Sequence, residues 1–220
     1  MNLPDGVLGA GWLWLGALVV LPLWLFAMWN RPWRALADNT RLHLFLGSCV
    51  GWMMLWLLKA GVAPGLNAHL LGATWFTLLF GWRLAVLGLS VVLLGATLAG
   101  TSGTTTFALN ACAMVIAPVL AAQGAHRFIE RYLPRHLFVF LFASGFFNAA
   151  LSMVVSVTFA SALLASSGLY TWDRLASEFL PFALLLAFPE AFVTGAGLSY
   201  FVVYHPAWVA SYREEAYLGR

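Results

Sequence analysis

Residues 137 to 165 read LFVFLFASGFFNAALSMVVSVTFASALLA, a continuous apolar run without a charged side chain. A bilayer-spanning helix needs about 20 such residues at about 1.5 Å rise each, so this stretch is long enough to cross. Its apolar residues do not alternate with polar ones, which argues against a barrel strand and for a helix that satisfies its own backbone in lipid. The whole chain has this character. Of its 220 residues, 62% are hydrophobic and 9% charged, against roughly 25% charged in soluble domains. An integral, all-α membrane protein follows, with no room for a soluble catalytic domain. The formal charge of +3 does not point to nucleic acid, because the arginines sit between apolar runs, where orientation signals belong.

Working outward from that run, the others are Val7 to Trp29, Leu42 to Leu58, Pro64 to Trp82, Leu84 to Gly100, Thr104 to Gln123 and Phe179 to Tyr204. About seven transmembrane helices are expected. The third run is the weakest, because Pro64-Gly65 should break a helix and only His69 to Trp82 is strongly apolar; it is read as short or re-entrant. Of the eleven Lys and Arg residues, nine fall in one alternate set of connections: Arg31, Arg34, Arg41, Arg83, Arg127, Arg131, Arg135, Arg213 and Arg220. The opposite set holds only Lys59 and Arg174. Cations are retained on the cytoplasmic side, so the amino terminus is expected outside and the carboxyl terminus in the cytoplasm. The first run spans 23 residues and its cations follow it, unlike a cleavable signal, so Met1 is expected to remain the terminus. One domain over residues 1 to 220 is the economical reading. Cys49 and Cys112 lie inside apolar runs and read as packing residues.

This topology puts four polar features on the external side. They are Met1-Asn2-Leu3-Pro4-Asp5-Gly6, Gly65-Leu66-Asn67-Ala68-His69, the tract Thr101 to Thr106, and Asn110 just inside the fifth span. An amine, an imidazole and a set of hydroxyl and amide oxygens would make a small polar site. Each also has a plainer reading: His69 as an interfacial residue, the threonines as a polar turn, Asp5 as a cap on the first helix. Glu190 lies near the middle of the last run, where insertion of a carboxylate is disfavoured by roughly 2.5 to 3.5 kcal/mol. It should face the bundle interior, paired or protonated, with Asn110 and Asn148 as possible partners. Its depth, against His69 near the outer surface, argues against an intramembrane enzyme built on these two residues.

The order of these blocks resembles the CbiM/NikM family, the substrate-binding membrane components of energy-coupling factor transporters for cobalt and nickel. That family opens with Met-His-Ile-Pro/Met-Glu/Asp-Gly, here Met1-Asn2-Leu3-Pro4-Asp5-Gly6. Its second block, Pro-Gly-x-x-x-His-Leu-x-Gly, is similar to Pro64 through Gly72. Its third, His-Gly-Gly-x-Thr-Thr-x-Gly-x-Asn-x-x-x-Met, is similar to the stretch from Thr101 through Gly103, Thr105, Thr106 and Asn110 to Met114. Its last helix carries Gly-Glu-Ala followed by two hydrophobic residues and Thr, here Pro189-Glu190-Ala191-Phe192-Val193-Thr194.

The resemblance implies a divalent transition metal as transported substrate, cobalt or nickel, with no organic cofactor. It implies metal held by the terminal amine of Met1, by residue 2 and by His69, with Asp5, Thr101, Thr105, Asn110 and Glu190 as supporting polar residues. A nitrogen-rich set of that kind suits Ni(II) or Cu(II) and tolerates Co(II). Two departures matter: residue 2 is Asn instead of His, and the third block opens on Thr101 instead of His. An amide is a poorer donor than an imidazole to such cations. The alternative implied is an accessory or sensory membrane protein of the same scaffold that has lost the metal site. No Gly-x-x-x-x-Gly-Lys-Ser/Thr motif occurs, so hydrolysis would come from separate ATPase subunits with a coupling transmembrane subunit. The basic loop Ala125 to His136 is either a docking surface for them or an inside anchor. A prokaryotic cell membrane is the expected location, and no nucleic-acid partner is expected.

Overall fold

The computed structural model describes residues Met1 to Tyr217, so the tail cation Arg220 lies outside the described residues. After an irregular amino-terminal segment come helix α1 (Ala10–Met28), a 3-10 turn (Pro32–Leu36), and α2 (Asn39–Leu57), whose first turn is capped by the Asp38 carboxylate accepting from the Arg41 amide. A two-stranded antiparallel hairpin follows, β1 (Ala60–Ala63) and β2 (Leu66–Ala68), then α3 (Ala73–Phe80) and α4 (Trp82–Leu98). Helix α5 (Phe107–Tyr132) contains a π turn at Cys112–Ile116, and α6 (Leu137–Ser166) contains another at Phe140–Phe147. The π turn in α5 stands just before Pro118, whose missing amide breaks the regular ladder. The chain ends with α7 (Trp172–Glu178), α8 (Leu180–Tyr204), a 3-10 turn at Pro206–Trp208 and α9 (Glu214–Tyr217).

Four helical stretches are long and apolar enough to cross a membrane: Ala10–Met28, Phe107–Tyr132, Leu137–Ser166 and Trp172–Tyr204; Trp82–Leu98 is a shorter apolar helix. The outer faces carry large exposed apolar side chains, among them Trp14, Leu18, Leu184 and Phe188, as lipid contact requires. The third run departs from a spanning helix. Pro64-Gly65 forms the hairpin turn, with Gly65 at φ +78°, and the helical part is α3 alone, about 12 Å long. All of α3 except Trp75 is buried, because a short helix apolar on every side belongs in the middle of a bundle. It packs on α4, α5 and α6, while α6 and α8 pack along each other. The second strand and the connection to α3 turn inward, with Leu66, Ala68, His69, Leu71 and Gly72 buried.

Candidate metal site

The amino-terminal segment is threaded into the bundle instead of lying on it. Met1, Asn2 and Leu3 are each at most 2% exposed. Asn110, on the first turn of α5, holds the main chain of Leu3 on both sides: its Oδ1 accepts from the Leu3 amide at 2.8 Å and its Nδ2 donates to the Leu3 carbonyl at 3.1 Å. Thr106 Oγ1 and the Gly103 amide also donate to that carbonyl, at 2.7 and 3.1 Å. The side-chain amide thus supplies what a neighbouring strand would. Asp5 is the second anchor. Its two oxygens accept from the amides and hydroxyls of Thr104 and Thr105 at 2.6 to 3.0 Å. The Thr105 hydroxyl first, together with the other three donors, holds the carboxyl below the usual carboxylate range. Asp5 does not cap the first helix: α1 begins after Gly9, without a side-chain cap.

Pinned this way, the Met1 nitrogen donates to the Gly65 carbonyl at 2.9 Å, to Asn67 Oδ1 at 2.8 Å and to the Asn67 carbonyl. Burial, with the nearby positive charge of Lys59, holds this amine well below its ordinary pKa of 8.0. The same Asn67 Oδ1 accepts from the Asn2 amide at 2.8 Å. Ser156 on α6 donates to the Ala113 carbonyl at 2.7 Å, and its Oγ lies 3.2 Å from the Met1 Sδ.

His69 is 2% exposed and lies against the Trp56 ring, centroids 4.6 Å apart. Its Nδ1 is 2.9 Å from the Leu70 carbonyl and its Nε2 is 2.8 Å from Asn2 Oδ1. A neutral imidazole carries one N–H, and ligating histidines commonly give that proton to a backbone carbonyl. With Nδ1–H on Leu70, Nε2 meets the Asn2 oxygen as acceptor to acceptor; with the proton on Nε2 the ring donates to Asn2 Oδ1 and Nδ1 is left facing the Leu70 carbonyl. Turning the Asn2 amide over would set its oxygen against the Thr101 carbonyl, to which Asn2 Nδ2 donates at 3.3 Å. Binding of a cation at Nε2 would require the Nδ1–H tautomer, with Asn2 Oδ1 beside the metal.

Every residue singled out on the external side falls in this assembly, in different ways. Met1, Asn2 and His69 form its centre. Asp5, Thr105 and Asn110 fix the entry of the terminus without facing the amine. Thr101 contributes its main-chain carbonyl, shared by Asn2 Nδ2 and by Lys59 Nζ at 2.8 Å, while its hydroxyl turns away to Ala96. Glu190, fully buried on α8, is not paired with Asn110 or Asn148; Asn148 Nδ2 donates instead to the Ala122 carbonyl. Its two oxygens accept from the amides of Leu71 and Gly72, each at 2.8 Å. The expected separation of Glu190 from the His69 region is thereby corrected: the loop that carries His69 runs on into the bundle and meets the carboxylate at Leu71 and Gly72. Asn67 and Lys59 gained their local roles only from the structure. Asn67 lies within the Pro64 to Gly72 block, but nothing in its spacing marked its side chain as the cap on the amine.

Among the described residues no group of three or more His, Cys, Asp or Glu could hold a metal ion. Cys49 and Cys112 are free and buried.

The profile of the CbiM family, described as cobalt uptake substrate-specific transmembrane region, matches residues 2 to 208. Two solved structures superpose on the chain. One is a truncated transition metal transporter, 17% identical, with a TM-score of 0.79 and covering 93% of this chain and 99% of the other. The second is a transition metal transporter, 16% identical, TM-score 0.79, covering 91% and 92%. At such identities the likeness establishes the fold. No curated protein matches the chain.

Proposed function

The chain belongs to the CbiM family of cobalt-uptake substrate-specific transmembrane regions, and from that premise we propose that it is the substrate-binding membrane component of an energy-coupling factor transporter. Membership makes it a multi-pass membrane transport component and not an enzyme. The finer reading is capture of a divalent cation of the cobalt or nickel class outside the cell and its passage inward. Separate ATPase subunits and a coupling transmembrane subunit would supply the energy. The proposal includes one domain over residues 1 to 220, seven membrane segments with α3 as the short third, and an external amino terminus in a prokaryotic cell membrane. The nine-to-two division of cations supports the orientation.

The observation that carries the metal reading is the convergence of the Met1 nitrogen, the Asn2 amide and His69 Nε2, linked through only two amide oxygens, Asn67 Oδ1 and Asn2 Oδ1. A cation entering there exchanges hydrogen bonds for coordination: the amine turns from donor to ligand, and the imidazole keeps its proton on Nδ1 so that Nε2 can coordinate. Asn2 supplies an oxygen where an imidazole would supply nitrogen, so the site is a mixed nitrogen and oxygen set, weaker for late transition metals than one with two imidazoles.

The test is titration of purified protein having a free Met1 amine with Ni(II), Co(II), Cu(II) and Zn(II). It is repeated for His69→Ala and for a variant carrying one glycine before Met1. Binding that both changes reduce supports the reading. Absence of binding, or binding indifferent to both, overturns it in favour of an accessory or sensory protein on the same scaffold.

A further inference from the structure

Resting on that reading, we propose that Glu190 is a positioning residue for His69, acting through the backbone of Leu71 and Gly72 to hold the imidazole at the cation. The two residues are 121 positions apart in the chain, and the connection between them in the fold is short. His69 precedes Leu71 by two residues, and Glu190 takes the amides of Leu71 and Gly72 on its two oxygens at 2.8 Å each. This grip is bidentate, so it fixes the direction of the strand as well as its place.

The segment needs such a grip. Between β2 and α3 its amides have no helix or sheet partner, and Leu71 and Gly72 are buried, where each unpaired amide is costly. Other ties also hold it, among them the Phe76 amide donating to the Gly72 carbonyl at 3.0 Å and the 2.9 Å contact of His69 Nδ1 with the Leu70 carbonyl. Trp56 Nε1 donates to the Leu71 carbonyl at 3.2 Å while its ring covers His69. Gly72 takes φ +77° with the Trp52 ring packed where a side chain would begin. Together these hold the Leu71 peptide from both faces, two residues beyond His69, and so limit how far the imidazole can shift. The carboxylate on α8 therefore sets the imidazole without touching the metal.

Glutamine at this position keeps the length but offers one acceptor, and its amino group faces an amide N–H; aspartate keeps both acceptors on a shorter stem. Three measurements on the full chain test the role. The first needs no metal: site-resolved modification of His69 by diethylpyrocarbonate is expected to be slow in the native protein and several-fold faster in Glu190→Gln. The second is affinity for Cu(II) and Ni(II), expected to fall about 10- to 100-fold in Glu190→Gln, and by less in Glu190→Asp. The third repeats Glu190→Gln in the His69→Ala background, where no further loss is expected, because the residue acts only through that imidazole. Unchanged His69 reactivity overturns the proposal, as does an equal affinity loss in both backgrounds. If native protein binds no metal, the proposed function fails while the modification experiment still decides the positioning role. If Glu190→Gln does not fold, Glu190→Asp carries the same comparisons.

Discussion

Asn2 Oδ1 and His69 Nε2 stand 2.8 Å apart in the interior of the bundle, an amide oxygen facing the ring nitrogen that the site would offer to a cation. Replacing Asn2 by His adds an imidazole beside the first and is expected to tighten Ni(II) and Cu(II) binding by at least about tenfold, about 1.4 kcal/mol. Asn2→Ala is expected to weaken it. Calorimetric titration of the three proteins checks both signs.

Lengthening the chain by one glycine before Met1 turns the amine into an amide with a single N–H, which cannot serve the Gly65 and Asn67 oxygens together. Met1 is fully buried, so the extra residue must also displace packed atoms, at a cost of about 1 to 3 kcal/mol. A lowered Tm in detergent, together with lost metal affinity, is the expected result. Unchanged Tm would mean that the terminus is not held where Ser156 and Asn67 hold it.

The Met1 amine, held below 8.0 by burial and by Lys59, gives up its proton to an incoming cation more readily than a free terminus does. Apparent metal affinity is therefore expected to rise with pH but to level off below pH 8. The linkage has the same sign: folded protein binds fewer protons here than unfolded chain, so stability is present above 8.0 and lost as pH falls below it. Lys59→Met removes one cause of the shift and is expected to move the plateau to higher pH. Titrations between pH 5 and 9 measure the displacement.

Asp5 behaves as a lowered carboxyl that acts above its ordinary value of 3.8. Its contribution is fully present above that value and is lost as pH falls below it. Asp5→Asn is expected to speed amide hydrogen exchange at Thr104 and Thr105 at neutral pH, whereas acidifying the native protein to pH 4 should leave their protection intact.

Gly72→Ala places a methyl group against the Trp52 ring at a positive φ, and a loss of about 1 to 3 kcal/mol is expected. Gly124→Ala, on α5 with open space around it, is the control, expected to stay within about 1 kcal/mol of the native protein. Thermal unfolding of both, in the same detergent, separates a steric effect from a general one.

Much of the architecture was legible before any coordinate. The run from Leu137 to Ala165 became α6, and Pro64-Gly65 became the hairpin turn where a helix could not continue. The polar blocks around Met1, His69, Thr101 and Asn110, expected on one face, came together. The details of the gathering were not legible: Asp5 went to Thr104 and Thr105 instead of to α1, and Glu190 to the His69 loop instead of to another helix's amide.

The sequence by itself determined the solvent and the helices, because a bilayer imposes length, apolarity and internal hydrogen bonding on each segment separately, and these can be read along a short window. Only the tertiary structure decided that Asn67 caps the amine, that Asn110 receives Leu3 and that Glu190 holds Leu71 and Gly72. Those contacts join residues 65 to 119 positions apart, where no periodicity links the partners. They exist because each buried polar group must find a partner somewhere in the folded bundle.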